Sequence, residues 1–311
     1  MLECATSLLL ALVRQVKRGG VILNEHTLTA EQTRRHVEVL GRWFDFIRLE
    51  ELPQRLARPG RRPFCLLTFD DGKRSHFTEV APELERQRVP AVFNVTTGPL
   101  SDGRCFWFDR RNELVGALGH CPPGLEVETL KQLPFAELME RLDRACVRWG
   151  LPSAGKAQED DAQPMSWDEA RDLHRRGFIF GAHGRTHAIL TRETKARAFA
   201  EIEESLARVS SELGTRCKTF AFPNGNYDSE LTRHAARCGA TSVMTTEPMW
   251  TDARASLTRL PRVQLFGEFT RARIELKIAL AAMTGALANP DGSGRAYRSK
   301  AGRKHQGKPR G

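Results

Sequence analysis

Short apolar runs of strand length recur along this chain with helix-patterned stretches between them, and that alternation constrains the fold more than any other feature. The runs are Val21–Leu23, Phe64–Phe69, Ala91–Val95, Phe178–Ala182, Thr219–Phe222, Thr241–Thr245 and Val263–Phe266. Between them apolar residues return at helical spacing. The clearest stripe is Phe199, Ile202, Leu206, Val209 and Leu213, in steps of 3, 4, 3 and 4, with Glu201, Glu203, Glu204 and Arg208 off it. Phe135, Leu138, Leu142 and Ala145 repeat the pattern, as do Trp167, Ala170 and Leu173. Such alternation predicts an α/β fold, a mainly parallel sheet with helices packed outside it. In such sheets reactive groups gather where strands end and loops begin.

The ends of the chain differ from its body. Residues 1–18 are expected to form an N-terminal helix around the apolar run at 5–13. That run is too short to span a bilayer. Its charges, Arg14, Lys17 and Arg18, follow it, whereas a signal peptide carries its charge ahead. Residues 19–288 read as one domain, and 289–311 as a disordered basic tail with only Tyr297 as a large apolar group. The formal net charge is +10, but the seven basic residues of 295–311 leave only about +3 for the rest. A nearly balanced body argues against nucleic acid as a partner, and the tail points instead to peripheral contact with an anionic membrane. The seven cysteines include no CxxC pair and several lie in apolar runs, such as Cys65. They are expected to be reduced and mostly buried, which favours a cytoplasmic location and argues against a zinc site built on cysteines.

Three strand ends carry chemistry. Leu66-Leu67-Thr68-Phe69-Asp70-Asp71-Gly72 delivers two adjacent carboxylates onto a glycine turn. Adjacent residues of an extended backbone point in different directions, so one carboxylate can bind a metal while its neighbour faces a metal-bound water. Gly181-Ala182-His183-Gly184-Arg185-Thr186-His187 follows another strand, and two histidines four apart can share a helical turn and converge on one ion. Together the two strand ends would present one aspartate and two histidines, an open three-ligand set with a place left for water. The third segment, Phe220-Ala221-Phe222-Pro223-Asn224-Gly225-Asn226-Tyr227-Asp228, ends on a turn.

TFDDG, the HxxxH pair and FAFPNGNYD, in this order and at these separations, resemble the polysaccharide deacetylase (NodB-homology) family. Pro90–Gly98, Cys105–Asp109, Met165–Glu169, Thr245–Pro248 and Leu260-Pro261-Arg262 extend the resemblance over roughly residues 19–270. It implies a distorted, incomplete (β/α) barrel and metal-dependent hydrolysis of N-acetyl groups on an amino-sugar polysaccharide or its precursor. It also implies roles: Asp70 as general base, Asp71, His183 and His187 as ligands of a divalent metal, zinc by default, and the Asn224 backbone N–H as an oxyanion donor. Two positions depart from the family pattern. Ala221 stands where many members carry an arginine that orients the base, which makes Arg262 the candidate replacement. No histidine lies between His234 and His305, where many members carry the acid that protonates the leaving amine, so that acid is unassigned.

Two further readings compete with the deacetylase. One is hydrolysis of another non-peptide C–N bond at the same site. The other is a non-catalytic carbohydrate-binding relative that kept the metal ligands, which the missing late histidine favours.

Overall fold

The computed structural model describes residues 2–150 and 163–284. Its strands are β1 (Gly20–Glu25), β2 (Asp45–Phe46), β3 (Phe64–Phe69), β4 (Ala91–Val95), β5 (Ile179–Ala182), β6 (Thr219–Ala221), β7 (Ser242–Met244) and β8 (Val263–Gln264). The helices are α1 (Leu2–Val16), α2 (Ala30–Gly41), α3 (Leu52–Ala57), α4 (Ala81–Arg86), α5 (Thr97–Asp102), α6 (Trp107–Leu118), α7 (Val127–Leu130), α8 (Phe135–Arg148), α9 (Trp167–Arg175), α10 (Lys195–Leu213), α11 (Ser229–Arg237) and α12 (Arg271–Thr284). The basic tail expected at 289–311 and residues 151–162 lie outside the described residues.

One sheet in the order β7-β6-β5-β4-β3-β1-β8 holds these strands, with β2 also pairing β3. Every ladder is parallel. This is the incomplete parallel α/β barrel. All seven apolar runs became strands; β2 was missed because two residues give no pattern to read.

Period-2 alternation divides the core into two layers. Val21, Leu23, Cys65, Leu67, Phe69, Phe93, Val95, Phe220 and Val243 pack beneath the helices. Their neighbours Ile22, Phe64, Leu66, Val92, Ala221 and Met244 fill the barrel interior with Leu260. The same parity carries Thr68 and then Asp70 onto the interior side. Polar groups thus enter the barrel only near the strand ends.

The two sheet edges are joined by one stretch of chain. The Leu257 carbonyl accepts from Val243 N at 2.8 Å, and Leu260 N donates to the Val243 carbonyl at 2.7 Å. Three residues after Leu260 the chain becomes β8, which pairs with β1 at Leu23↔Val263. Arg262 lies on this strap, between its hold on β7 and its hold on β1.

All seven cysteines are unpaired, but only Cys65, Cys146 and Cys217 are buried; Cys4 and Cys121 are exposed. The expectation of mostly buried thiols therefore fails. Cys4 lies on the outer face of α1 and Cys121 in the turn after α6, where no layer covers them.

Phe93 anchors the outer layer, meeting the rings of Phe69, Phe178, Phe180 and His76 at centroid distances of 5.3–5.8 Å. Phe93→Ala should lower the unfolding free energy by ~3–5 kcal/mol, as large cavities in cores do, measured by chemical denaturation.

Candidate active site

Asp70, Asp71, His183, His187 and Asn224 line one cleft of 390 Å³ at the strand ends, joined there by His26, Asn24, Trp107, Phe108, Phe222, Thr246 and Phe266. The loops after β3 and β5 are shaped by left-handed backbone. Of the four non-glycine residues with positive φ among the described residues, three belong to the cleft: Asp71 at 78°, His187 at 63° and Asn224 at 56°. Such conformations cost energy in L-residues and persist where the surroundings over-determine them. Here backbone hydrogen bonds do so. The Asp71 carbonyl accepts from Thr96 N at 2.9 Å, and the Gly72 carbonyl accepts from Met165 N at 2.9 Å.

Asp71, His183 and His187 converge. One ligand atom from each lies within 4.8 Å of the other two. Asp71 Oδ1 is 3.1 Å from His187 Nε2 and 3.6 Å from His183 Nε2. The histidines do not share a helical turn as their spacing suggested. Residues 183–189 are irregular, and the reversal comes from Gly184 at φ 77° and His187 at φ 63°. Glu201 of α10 braces this loop, accepting from Arg185 N, Thr186 N and Thr186 Oγ1 at 2.8 Å each.

The His183 Nδ1–H donates to the Ala221 carbonyl at 2.8 Å, which turns Nε2 toward Asp71 as a lone-pair donor. Burial pushes the His183 imidazole down to about 4, so it is neutral at ordinary pH. Burial pushes the Asp71 carboxyl up, yet His187 and the other imidazoles bring it well below the usual carboxylate range. Its Oδ1 is nevertheless buried with no hydrogen bond reaching it, and so is His187 Nδ1. A carboxylate oxygen left bare between two imidazole nitrogens is what a divalent cation would satisfy, so the residues fit such an ion.

Asp70 is treated differently from its neighbour. Arg262 grips it from both sides, Nη1 to Oδ1 and Nη2 to Oδ2 at 2.8 Å each, and Asn94 Nδ2 donates to Oδ1 at 2.8 Å. Arg262 is fully buried. Its Nε–H donates to the Thr245 carbonyl at 2.9 Å, and Nη1 donates also to Thr68 Oγ1 at 3.0 Å. Burial raises the Asp70 carboxyl, but the guanidinium and the nearby imidazoles outweigh it and hold Asp70 ionised, well below the usual range. Asn94 has room to reach Asp70 because its register partner on the neighbouring strand β5 is Gly181: a Cβ there would stand 2.2 Å from Asn94 Oδ1.

His26 is a cleft residue that the sequence reading missed. It follows β1 directly, as Asp70 follows β3 and His183 follows β5, and that shared position was the available signal. Its imidazole acts electrostatically on both Asp70 and Asp71. Its own carbonyl is held by His76 Nε2 at 2.9 Å. His234, by contrast, stacks on Phe199 at 3.9 Å and pairs with Glu203, away from the cleft. A wall missed from sequence is the start of α6, where Phe106 and Phe108 pack edge-on to His187. Lys73 pairs there with Asp109, whose carboxyl burial pushes up to about 6 despite the ammonium.

The chain belongs to the polysaccharide deacetylase family: residues 57–243 match that family's sequence pattern. No protein with a curated description matches the chain. Among solved structures it is similar in fold to the deacetylase PplD of Streptococcus pyogenes in complex with acetate, at 15% identity and a TM-score of 0.59, covering 85% of this chain and 98% of that one. IcaB from Ammonifex degensii is similar at 15% identity and TM-score 0.56, over 85% of this chain and 98% of that one. The BpsB deacetylase domain from Bordetella bronchiseptica is similar at 18% identity and TM-score 0.52, over 79% and 96%.

Removing Arg262 strands a buried carboxylate. Arg262→Ala should cost ~3–5 kcal/mol of stability by chemical denaturation, the range for breaking a buried pair from one side. Adding Asp70→Asn should recover part of that loss, which a merely space-filling arginine would not show.

Proposed function

We propose that this protein removes N-acetyl groups from an amino-sugar polymer or its precursor, with a divalent ion held by Asp71, His183 and His187. The observation that carries the reading is the division of labour between neighbours: Asp71 offers a bare oxygen to two imidazoles, while Asp70 is clamped ionised by Arg262 in the same cleft. One carboxylate and two imidazoles are the donors of a three-ligand catalytic site, for which zinc is the default ion. When bound, such an ion supplies Lewis acidity to the amide carbonyl and lowers the pKa of water from ~16 toward ~7.

The protein's own groups do the rest. Asp70, oriented by Arg262 and Asn94, accepts the proton of the attacking water. The Asn224 N–H, presented by the turn at Pro223–Gly225, donates to the oxygen that becomes negative in the tetrahedral intermediate. His26 donates a proton to the departing amine. It is the cleft imidazole not committed to the ligand set, and it answers the missing late histidine that favoured a non-catalytic binder. Trp107, Phe108, Phe222 and Phe266 give the cleft flat apolar walls against which a pyranose ring packs.

After zinc reconstitution the protein should bind about one ion per three-ligand site and release acetate from N-acetylglucosamine oligomers; chelation should stop the release. Asp70→Asn should slow it by ~10²–10⁴-fold with zinc retained, the usual range for a lost general base. No acetate from the zinc-loaded wild type on any N-acetylated glycan would sink the proposal. His26→Gln should lower kcat by at least ~10²-fold while KM and zinc content hold. An unchanged kcat would move the acid to another group.

A further inference from the structure

Among the described residues seven large apolar side chains are exposed, and six of them lie on two neighbouring helices. Leu8, Leu12 and Val16 form a stripe on α1, and Leu276, Leu280 and Met283 form another on α12, each between 38% and 78% exposed. Ala5 and Cys4 extend the first stripe and are also exposed. The opposite faces are the ones that bury Leu10 and Val13 of α1 and Ile274, Ile278 and Ala282 of α12.

The two helices lie side by side with the same polarity. At one end Thr6 Oγ1 and Ser7 Oγ donate to Glu275 Oε2 at 3.1 and 2.7 Å. At the other, Trp250 bridges them: its Nε1–H donates to the Arg18 carbonyl at 2.7 Å and its backbone N–H to the Ala281 carbonyl at 3.2 Å. The stripes therefore form one apolar surface, larger than scattered exposed residues produce.

Basic residues border it. Arg14, Lys17 and Arg18 stand at the end of α1, and Arg273 and Lys277 along α12. Glu275 is buried between the helices, held by Thr6, Ser7, Trp43 and Arg271, so its charge does not reach the outer face. The chain runs on past Thr284 for 27 residues that contain seven Lys or Arg and one acid, Asp291. It leaves α12 at the end where Lys17 and Arg18 lie.

We infer that the outer face of α1 and α12 docks peripherally on an anionic lipid bilayer. Apolar side chains enter the interface while the basic border meets lipid phosphates. Charge selects this occupant over a second copy of the chain, which would bring like charge to like charge. No helix among the described residues is long and apolar enough to cross a membrane, so the contact lies along the surface. The inference stands independently of the deacetylase reading. Its consequence bears on that reading, because Lys277 of α12 also lines the cleft. Docking would hold the cleft beside the headgroups.

The test is co-sedimentation of the full-length protein with vesicles of phosphatidylcholine alone and of phosphatidylcholine and phosphatidylglycerol in equal parts. The protein should pellet with the mixed vesicles, stay in solution with the neutral ones, and be released as salt rises. The exposed double substitution Leu12→Glu, Leu280→Glu should weaken vesicle binding by at least about tenfold. Its melting profile and its acetate release from a soluble oligomer should match the wild type. No binding of the wild type to anionic vesicles, or equal binding by the double variant, would overturn the inference. So would a dimer in light scattering that this double substitution dissolves, since that assigns the face to a second copy.

Discussion

The buried pair of Arg262 and Asp70 organises this molecule. Taking a carboxylate and a guanidinium out of water costs several kcal/mol per ion, and only good geometry and further hydrogen bonds offset it. Both are present. The fork of Arg262 meets both oxygens of Asp70, and two of its three other donors go to Thr68 and the Thr245 carbonyl. Thr68 in turn donates to the Leu23 carbonyl at 2.7 Å, which ties the pair to β1. Three strands and the strap after β7 thus meet at one charge. A lysine could not reproduce this, because a point charge cannot span two carboxylate oxygens and two other acceptors at once.

Strand parity explains why two adjacent aspartates differ. Thr68 and Asp70 share the interior side, where Asp70 meets Arg262 and Asn94. The next residue turns left-handed, which swings Asp71 out of the barrel and between His183 and His187. The glycine that follows is needed twice over: its φ is 87°, and a Cβ would come within 3.1 Å of Val95 and Leu100.

Much of this was legible in the sequence, and the limits have physical causes. The apolar runs located seven strands because strands covered on both faces must be apolar throughout. The position of Asp70, Asp71, His183 and His187 at strand ends foretold one cleft. Arg262 could be nominated only by a gap elsewhere, at Ala221, since nothing local marks an arginine after a proline as buried. The helical turn suggested for the two histidines was wrong because spacing alone cannot distinguish a helix from a loop bent by Gly184 and braced by a distant glutamate. His26 escaped notice because the acid was sought near the end of the chain. In a sheet whose first and last strands are neighbours, a residue after β1 stands beside a residue after β8.

The strap from Leu257 to Gln264 does two jobs with one stretch of backbone. It spans the seam between β7 and β1, and it carries the guanidinium into the interior. Closure of the barrel and the pairing of Asp70 with its guanidinium are therefore one event. A molecule that breathed open at this seam would keep its helices, most of its sheet and its histidine loop, yet its carboxylate would lose its countercharge and meet water. The competence of the site is in that sense a local reporter of whether the barrel is shut.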